Sequence, residues 1–329
     1  MRLVVLLLAT LFSGLAVASP FFTPSADIER IARGFPDAIG ASVSDSNRFS
    51  LHKFDIKSGN VQPTDPVCLD GSPAGVYVHR ATSSAGKRKF AFFFQGGGWC
   101  SGPQDCKGRA GTDLGSSLKW GNETGGAGPM DPDCSRNPLF CDWNLVILPY
   151  CDGNSFTGSR DGALVVDGQP LYFRGAHITE AAMRWSVANL ALDKATDVLL
   201  SGCSAGGLAT ILNTNRVGAF LQRYAPALQT FKAIPLSGVF LDVPTVTGVN
   251  AYATIIRSIV DISSPRYTLI DDGPAARDPC LEAHAEDPAA CHFAQNYLPH
   301  VRAPMLVVNS AIDSWELSCI LTVHNGYVR

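Results

Sequence analysis

Val198-Leu199-Leu200-Ser201-Gly202-Cys203-Ser204-Ala205-Gly206-Gly207 decides how this chain reads. Val198-Leu199-Leu200 is a short apolar run of the kind that forms a buried strand. Gly202-Cys203-Ser204-Ala205-Gly206 is a G-x-S-x-G sequence, and Gly206 to Tyr224 carries helical spacing directly after it. Strand, tight turn and helix in that order is the context a nucleophile elbow requires. Small residues flank the serine, so strand and helix can approach closely and leave its hydroxyl exposed at the C-terminal edge of a sheet. A plain Gly/Ser turn is the simpler alternative; the strand before and the helix after favour the elbow.

Working outward, further short strands are expected at Gly75-Val76-Tyr77-Val78-His79, Phe90 to Phe94, Leu145 to Leu148, Phe231 to Leu236 and Pro304 to Val308. Phe90 to Phe94 and Met305 to Val308 are apolar throughout, as in strands buried on both faces of a parallel sheet covered by helices. Thr179 to Leu192 has helical spacing, with Thr179 as the expected N-cap. Strands alternating with helices predict an α/β fold, a mostly parallel sheet flanked by helices. Ser101 to Asp142 is rich in Gly, Pro and Cys and reads as a long disulfide-tied loop beside the sheet.

Two more elements fall after strands. Gln95-Gly96-Gly97-Gly98-Trp99 follows Phe94, and its glycines leave backbone N–H groups open to a ligand. N–H groups of Gly97, Gly98 and Ala205 could together receive the oxyanion of a tetrahedral intermediate, where one lost donor costs roughly 3 to 4 kcal/mol. A phosphate cradle is the competing reading, but the Lys-Ser/Thr ending of a P-loop is missing. Asp313, in Asn309-Ser310-Ala311-Ile312-Asp313-Ser314-Trp315, lies just beyond a late buried strand, where an acid can orient a catalytic histidine.

The chain has 329 residues, 17% of them charged, and a formal net charge of −3. That balance offers no basic surface for nucleic-acid phosphates; Lys87-Arg88-Lys89 reads as a solvated loop entering a strand. Residues 1–18 read as a signal peptide, with Arg2, the apolar run Leu3 to Leu8 and the small residues Ala16-Val17-Ala18. Residues 19–329 then form a single exported domain without a membrane span. All ten cysteines follow the expected cleavage site, an even number suited to an oxidising compartment. Cys100/Cys106, Cys134/Cys141 and Cys280/Cys291 are close enough to clamp local loops, although spacing alone does not establish connectivity. No metal is expected, because Cys291-His292 is a lone pair without a second knuckle. Asn122-Glu123-Thr124 is a glycosylation sequon in a Gly-rich stretch.

Phe94 to Cys100, Tyr150-Cys151-Asp152-Gly153-Asn154-Ser155-Phe156-Thr157-Gly158, Phe173-Arg174-Gly175, Gly202 to Gly207 and Asn309 to Trp315 resemble the pectin acetylesterase family, which includes the Notum-type carboxylesterases. The resemblance runs from about Gly75 to Trp315 and implies an α/β-hydrolase fold, no cofactor, and hydrolysis of carboxylic esters, typically acetyl groups on pectin. It assigns Ser204 as nucleophile, Asp313 as acid, and Gly97, Gly98 and Ala205 as oxyanion donors. The family pattern continues past the acid through a helix and a strand to a histidine, and this sequence lacks them, so the chain reads as truncated at its C-terminus. The sheet edge beside the last strand is then expected to be exposed. Only His324 follows Asp313, a weak candidate for the base. The expected function is a secreted serine carboxylesterase acting on an acetylated polysaccharide. A deacylase for lipidated proteins and a catalytically silent binding protein are the alternatives. The sequence specifies no oligomeric state.

Overall fold

Phe90, Phe92 and Phe94 are fully buried on one face of a strand, β4 (Lys89–Phe94), and this strand sits at the centre of the sheet. The computed structural model describes residues 4–7, 47–56, 61–273, 276–324 and 327–328, with backbone only at 4–7, 323–324 and 327–328. Nine strands pair in the order β1-β11-β10-β9-β4-β6-β3-β2-β5. They are β1 (Val4–Leu7), β2 (Arg48–Lys53), β3 (Gly75–His79), β5 (Glu123–Gly125), β6 (Asn144–Leu148), β9 (Asp197–Cys203), β10 (Thr230–Leu236) and β11 (Leu306–Asn309), with β4 between β9 and β6. Pairing is parallel from β1 to β6, then antiparallel through β3, β2 and β5. β7 (Leu164–Val166) and β8 (Gln169–Leu171) form a separate hairpin. The mostly parallel sheet flanked by helices expected from the sequence is therefore present, and all six expected strands form.

Two helices pack on the Phe90/Phe92/Phe94 face: α2 (Gly175–Leu190) and α3 (Ala205–Tyr224). Ile178 and Met183 of α2, with Leu208, Ile211 and Leu212 of α3, close over Val198 and Leu200 of β9. Each fully buried Phe or Leu removes enough apolar surface from water to contribute on the order of 2 kcal/mol. The opposite face carries a smaller cluster built on Phe49, Ala91, Leu145 and Leu199, with Phe93 and Ile147 half-buried. Burial at β11 is one-sided. Val307 faces the helical layer, whereas Leu306 and Val308 stay half-exposed, because the described residues leave the far face open at that end of the sheet.

Several expectations change. α2 begins four residues before Thr179, which lies fully buried inside the helix with its hydroxyl donated to the Gly175 carbonyl (3.0 Å), not at its N-cap. The helix starts early because Gly175 fits against Asp152 and Phe156, where a Cβ would sit 2.0 Å from Asp152 Oδ2. β2 and β5 were not anticipated; both lie at the antiparallel end, where pairing partners supply the order. Ser101 to Asp142 is mostly irregular, as expected, but holds a short helix, α1 (Pro103–Arg109), and β5. The edge of β11 is not open: Val4–Leu7, inside the stretch read as a leader, pairs with it in parallel and satisfies its ladder. After Asp313 the described chain makes a turn at Glu316–Ile320 and a hairpin of Val323–His324 with Tyr327–Val328, outside the main sheet. Disulfides join Cys100–Cys106, Cys134–Cys141 and Cys280–Cys291, as the spacing allowed, and also Cys68–Cys151.

Candidate active site

Ser204 occupies the junction of β9 and α3 with φ 59° and ψ −127°, a backbone conformation that costs a non-glycine residue roughly 1 to 3 kcal/mol. Crowding around the turn explains why its neighbours are small. A Cβ on Gly202 would sit 2.2 Å from the Gly206 carbonyl oxygen, and one on Gly206 only 2.0 Å from that of Phe94. Ser204 N–H donates to the Leu236 carbonyl (3.0 Å), which anchors the turn to β10. The serine is partly exposed while Ala205 and Gly206 behind it are buried. The elbow read from the sequence is thus formed, with its serine open to solvent.

The Gly96-Gly97-Gly98 loop leaves β4 directly beside the elbow. A Cβ on Gly96 would lie 2.3 Å from the Cys203 carbonyl oxygen and 3.0 Å from Ser204 Cβ, so only glycine permits this approach. Gly97 (φ 144°) and Gly98 (φ 66°) take backbone angles that favour glycine. Arg109 Nη2 donates to the Gly97 carbonyl (2.9 Å) while its guanidinium stacks on the Tyr150 ring, 5.0 Å from the centroid. Holding the carbonyl from one side orients the neighbouring peptide. Among the described residues, the N–H groups of Gly97, Gly98 and Ala205 have no protein acceptor.

A third segment locks these two together, and sequence reasoning assigned it no role. Ser155, fully buried, accepts a hydrogen bond from Trp99 Nε1 (2.8 Å) and donates its hydroxyl to the Ala205 carbonyl (2.9 Å). One hydroxyl thereby bridges the glycine loop and the residue after Ser204. Ser155 and Phe156 both have positive φ, 48° and 57°. The Asp152 carboxylate holds them there, accepting from the N–H of Phe156 (3.0 Å) and Gly158 (3.4 Å). Burial pushes Asp152 up to about 6 despite these donors. The signal was present in the Tyr150 to Gly158 motif, whose polar residues cluster around Cys151; their separate roles depend on contacts the motif does not contain.

Asp313 lies beyond β11 as expected. Its Oδ1 accepts the N–H groups of Trp315 (2.9 Å) and Glu316 (3.1 Å), capping the following turn and leaving Oδ2 without a partner among the described residues. It is near enough to the elbow to raise the Cys203 thiol, an effect secondary to burial. Glu316, half-buried and not anticipated, is pushed up to about 7 by burial and by the Asp313 charge. Trp99, Phe240, Tyr252 and Trp315 pack around this corner in edge-to-face and tilted pairs, with ring centroids 4.9 to 6.2 Å apart. A cavity of about 790 Å³ at the C-terminal ends of β4, β6, β9 and β10 is lined by Gln95, Pro149, Cys203 and Leu236, with Phe93 and Trp120, and Ser204 is not part of its wall.

Hydrogen bonds and ring contacts place His52 on Trp185, His79 on Arg48 and Phe49, His177 on Ser159, His292 on Tyr267, and His284 beside His300. None of these six hydrogen-bonds Ser204 or Asp313. Burial pushes His177 and His292 down to about 3, which suits neutral packed rings. The side chain of His324 lies outside the described residues. Cys280, His284 and His300 bring potential metal-ligating atoms within 4.8 Å of one another, but Cys280 is bound to Cys291 and has no thiolate to offer.

Comparisons with known proteins bear on the family and the fold. Pectin acetylesterase 5 of Arabidopsis thaliana is 34% identical over 254 residues, covering 77% of this chain and 56% of that protein. Palmitoleoyl-protein carboxylesterase NOTUM of Homo sapiens is 29% identical over 259 residues, covering 78% and 50%. The chain spans 56% to 63% of the length of the plant relatives it matches. The solved structure of the Wnt deacylase Notum from Drosophila superposes with a TM-score of 0.67 at 24% identity, over 79% of this chain and 70% of that one. The likeness establishes the α/β-hydrolase fold. With the pectinacetylesterase family profile matching residues 53–326, the chain belongs to the pectinacetylesterase family.

Proposed function

We propose that this chain is a secreted serine carboxylesterase that removes acetyl groups from pectin-like polysaccharide. The observation that carries the reading is the strained, partly exposed Ser204 set against N–H groups from two separate segments that have no acceptor among the described residues. Ser204 Oγ attacks the ester carbonyl carbon as its proton passes to a base. Gly97, Gly98 and Ala205 N–H groups receive the oxyanion. The C–O bond to the sugar then breaks, the sugar oxygen takes the proton, and water cleaves the acyl-serine to release acetic acid. Asp313 serves as the acid that orients the base through its free Oδ2. His324, the histidine that follows Asp313 in this sequence, is the candidate for that base.

A short acyl group is favoured over a long one by the aromatic corner. Trp99, Phe240, Tyr252 and Trp315 fill the space beside the glycine loop with their own rings, where a lipid chain needs an empty apolar channel. Four disulfides and the exposed sequon residue Asn122 support export, and no described helix is long and apolar enough to cross a membrane. The test is a series of p-nitrophenyl esters from acetate to palmitate with Ser204→Ala as control, together with fluorophosphonate labelling. Labelling of Ser204 and rates that fall with chain length are expected. Well-folded protein that neither labels nor hydrolyses acetate would sink the esterase reading in favour of a silent binding protein; rates rising toward palmitate would sink the acetyl preference alone.

A further inference from the structure

The helical layer buries arginine side chains, and one of them, Arg216, has the Glu180 carboxylate as a charge partner but no hydrogen-bond acceptor among the described residues. Arg174 and Arg216 are each 1% exposed and Arg266 is half-buried, and all three lie within electrostatic reach of His177. Arg174 and Arg266 donate to backbone carbonyls. Among the described residues the Arg216 guanidinium has no acceptor: Nε, Nη1 and Nη2 are all buried. The nearby carboxylate of Glu180 is engaged, with Oε1 receiving the Ile270 N–H and Oε2 3.7 Å from Arg184. A guanidinium held out of water without an acceptor is strongly destabilising unless something supplies the missing oxygens.

A cavity of about 440 Å³ lies against Arg216, with Ala219 and Tyr267 in its wall and the exposed Arg277 and Arg302 at its rim. Its two acids are already held, Asp272 by Arg223 (2.7 Å) and Asp278 by the Tyr297 hydroxyl (2.9 Å) and the Cys280 N–H (2.9 Å). We propose that this cavity binds a small oxyanion, a carboxylate or phosphate, received by the Arg216 guanidinium and drawn in by Arg277 and Arg302. A planar guanidinium fork matches two oxygens of such a group, and exposed arginines at a mouth attract an anion before contact. The site is separate from the elbow. Arg216 stands twelve residues beyond Ser204 on the same helix, about 18 Å along its axis.

The test uses the full Ser204→Ala chain with its disulfides intact, so the readout is binding and is independent of ester hydrolysis. Inorganic phosphate, D-galacturonate and chloride are titrated at matched ionic strength, followed by calorimetry and thermal unfolding. Saturable binding of phosphate or galacturonate, with chloride inert, is expected. Galacturonate alone identifies a uronate as the source, and both together identify a general oxyanion site. Ala219→Phe blocks the cavity while keeping Arg216 and should weaken binding at least about tenfold. The double change R277S/R302S alters only rim side chains and should weaken it too, which decides the matter if Ala219→Phe does not fold. No saturable binding by either oxyanion, or binding unchanged in the variants that fold, overturns the proposal.

Discussion

Ser155→Ala removes one oxygen atom and with it the tie between the glycine loop and the elbow. Two hydrogen bonds go, from Trp99 Nε1 and to the Ala205 carbonyl. Each contributes about 1 kcal/mol net, and leaving the Trp99 N–H without an acceptor adds about 1 to 2 kcal/mol of uncompensated desolvation, for a total near 3 to 4 kcal/mol. Backbone strain at φ 48° is common to both residues and cancels. Loss of a whole oxyanion donor costs roughly 3 to 4 kcal/mol, so loosening the tie between donors should cost about half that, a fall of roughly 10- to 30-fold in kcat. KM for p-nitrophenyl acetate should change little, because the bridge does not face the substrate. The assay is a double-mutant cycle with Trp99→Phe, read by denaturant unfolding and by acetate-ester hydrolysis. Trp99→Phe deletes the same donor and also loses ring packing, which is common to both backgrounds and cancels in the cycle, so the expected coupling is about 1 to 2 kcal/mol. Strict additivity, or a Ser155→Ala protein as stable as the parent, would refute the bridge.

Three further outcomes are expected. Gly96→Ala should abolish ester hydrolysis and destabilise by about 3 kcal/mol or more, because its Cβ would meet the Cys203 carbonyl oxygen at 2.3 Å; Gly98→Ala, facing open space, should cost only about 1 to 2 kcal/mol of backbone strain. Activity and unfolding midpoints of the two variants separate packing from strain. Glu316 has a folded pKa near 7, above its ordinary value, so the folded state favours its protonated form. Its stabilising contribution is present below about pH 4.5 and is lost as pH rises through 7; Glu316→Gln should flatten that part of the stability profile, and an unchanged profile would show that Glu316 does not titrate there. Removing Cys68–Cys151, which closes 83 residues, should cost about 4.5 kcal/mol, against about 2.4 kcal/mol for Cys134–Cys141, which closes 7, in paired Cys→Ser variants measured by chemical unfolding.

Features legible in the residues alone are local. Val198 to Gly206 prescribes strand, turn and helix because each preference is satisfied by near neighbours, and the apolar runs mark six strands for the same reason. Three disulfides were within reach of spacing because their loops are short. Features that need distant segments to meet emerge with the folded chain. Cys68 finds Cys151 because β3 and β6 pair antiparallel and bring the chain before one beside the chain after the other. Ser155 becomes the link between Trp99 and Ala205 because β4, β6 and β9 end side by side, an order set by crossovers rather than by residue pattern. Asp313 was legible as a residue after a late strand, but its role in capping the turn at Trp315 and Glu316 was not. Arg216 reads as an ordinary polar position on an amphipathic helix, and its burial beside an arginine-rimmed cavity follows from packing by Tyr267 and Tyr297, each more than fifty residues away in the chain. Hydrophobic periodicity records which face of an element is covered; it does not record what covers it.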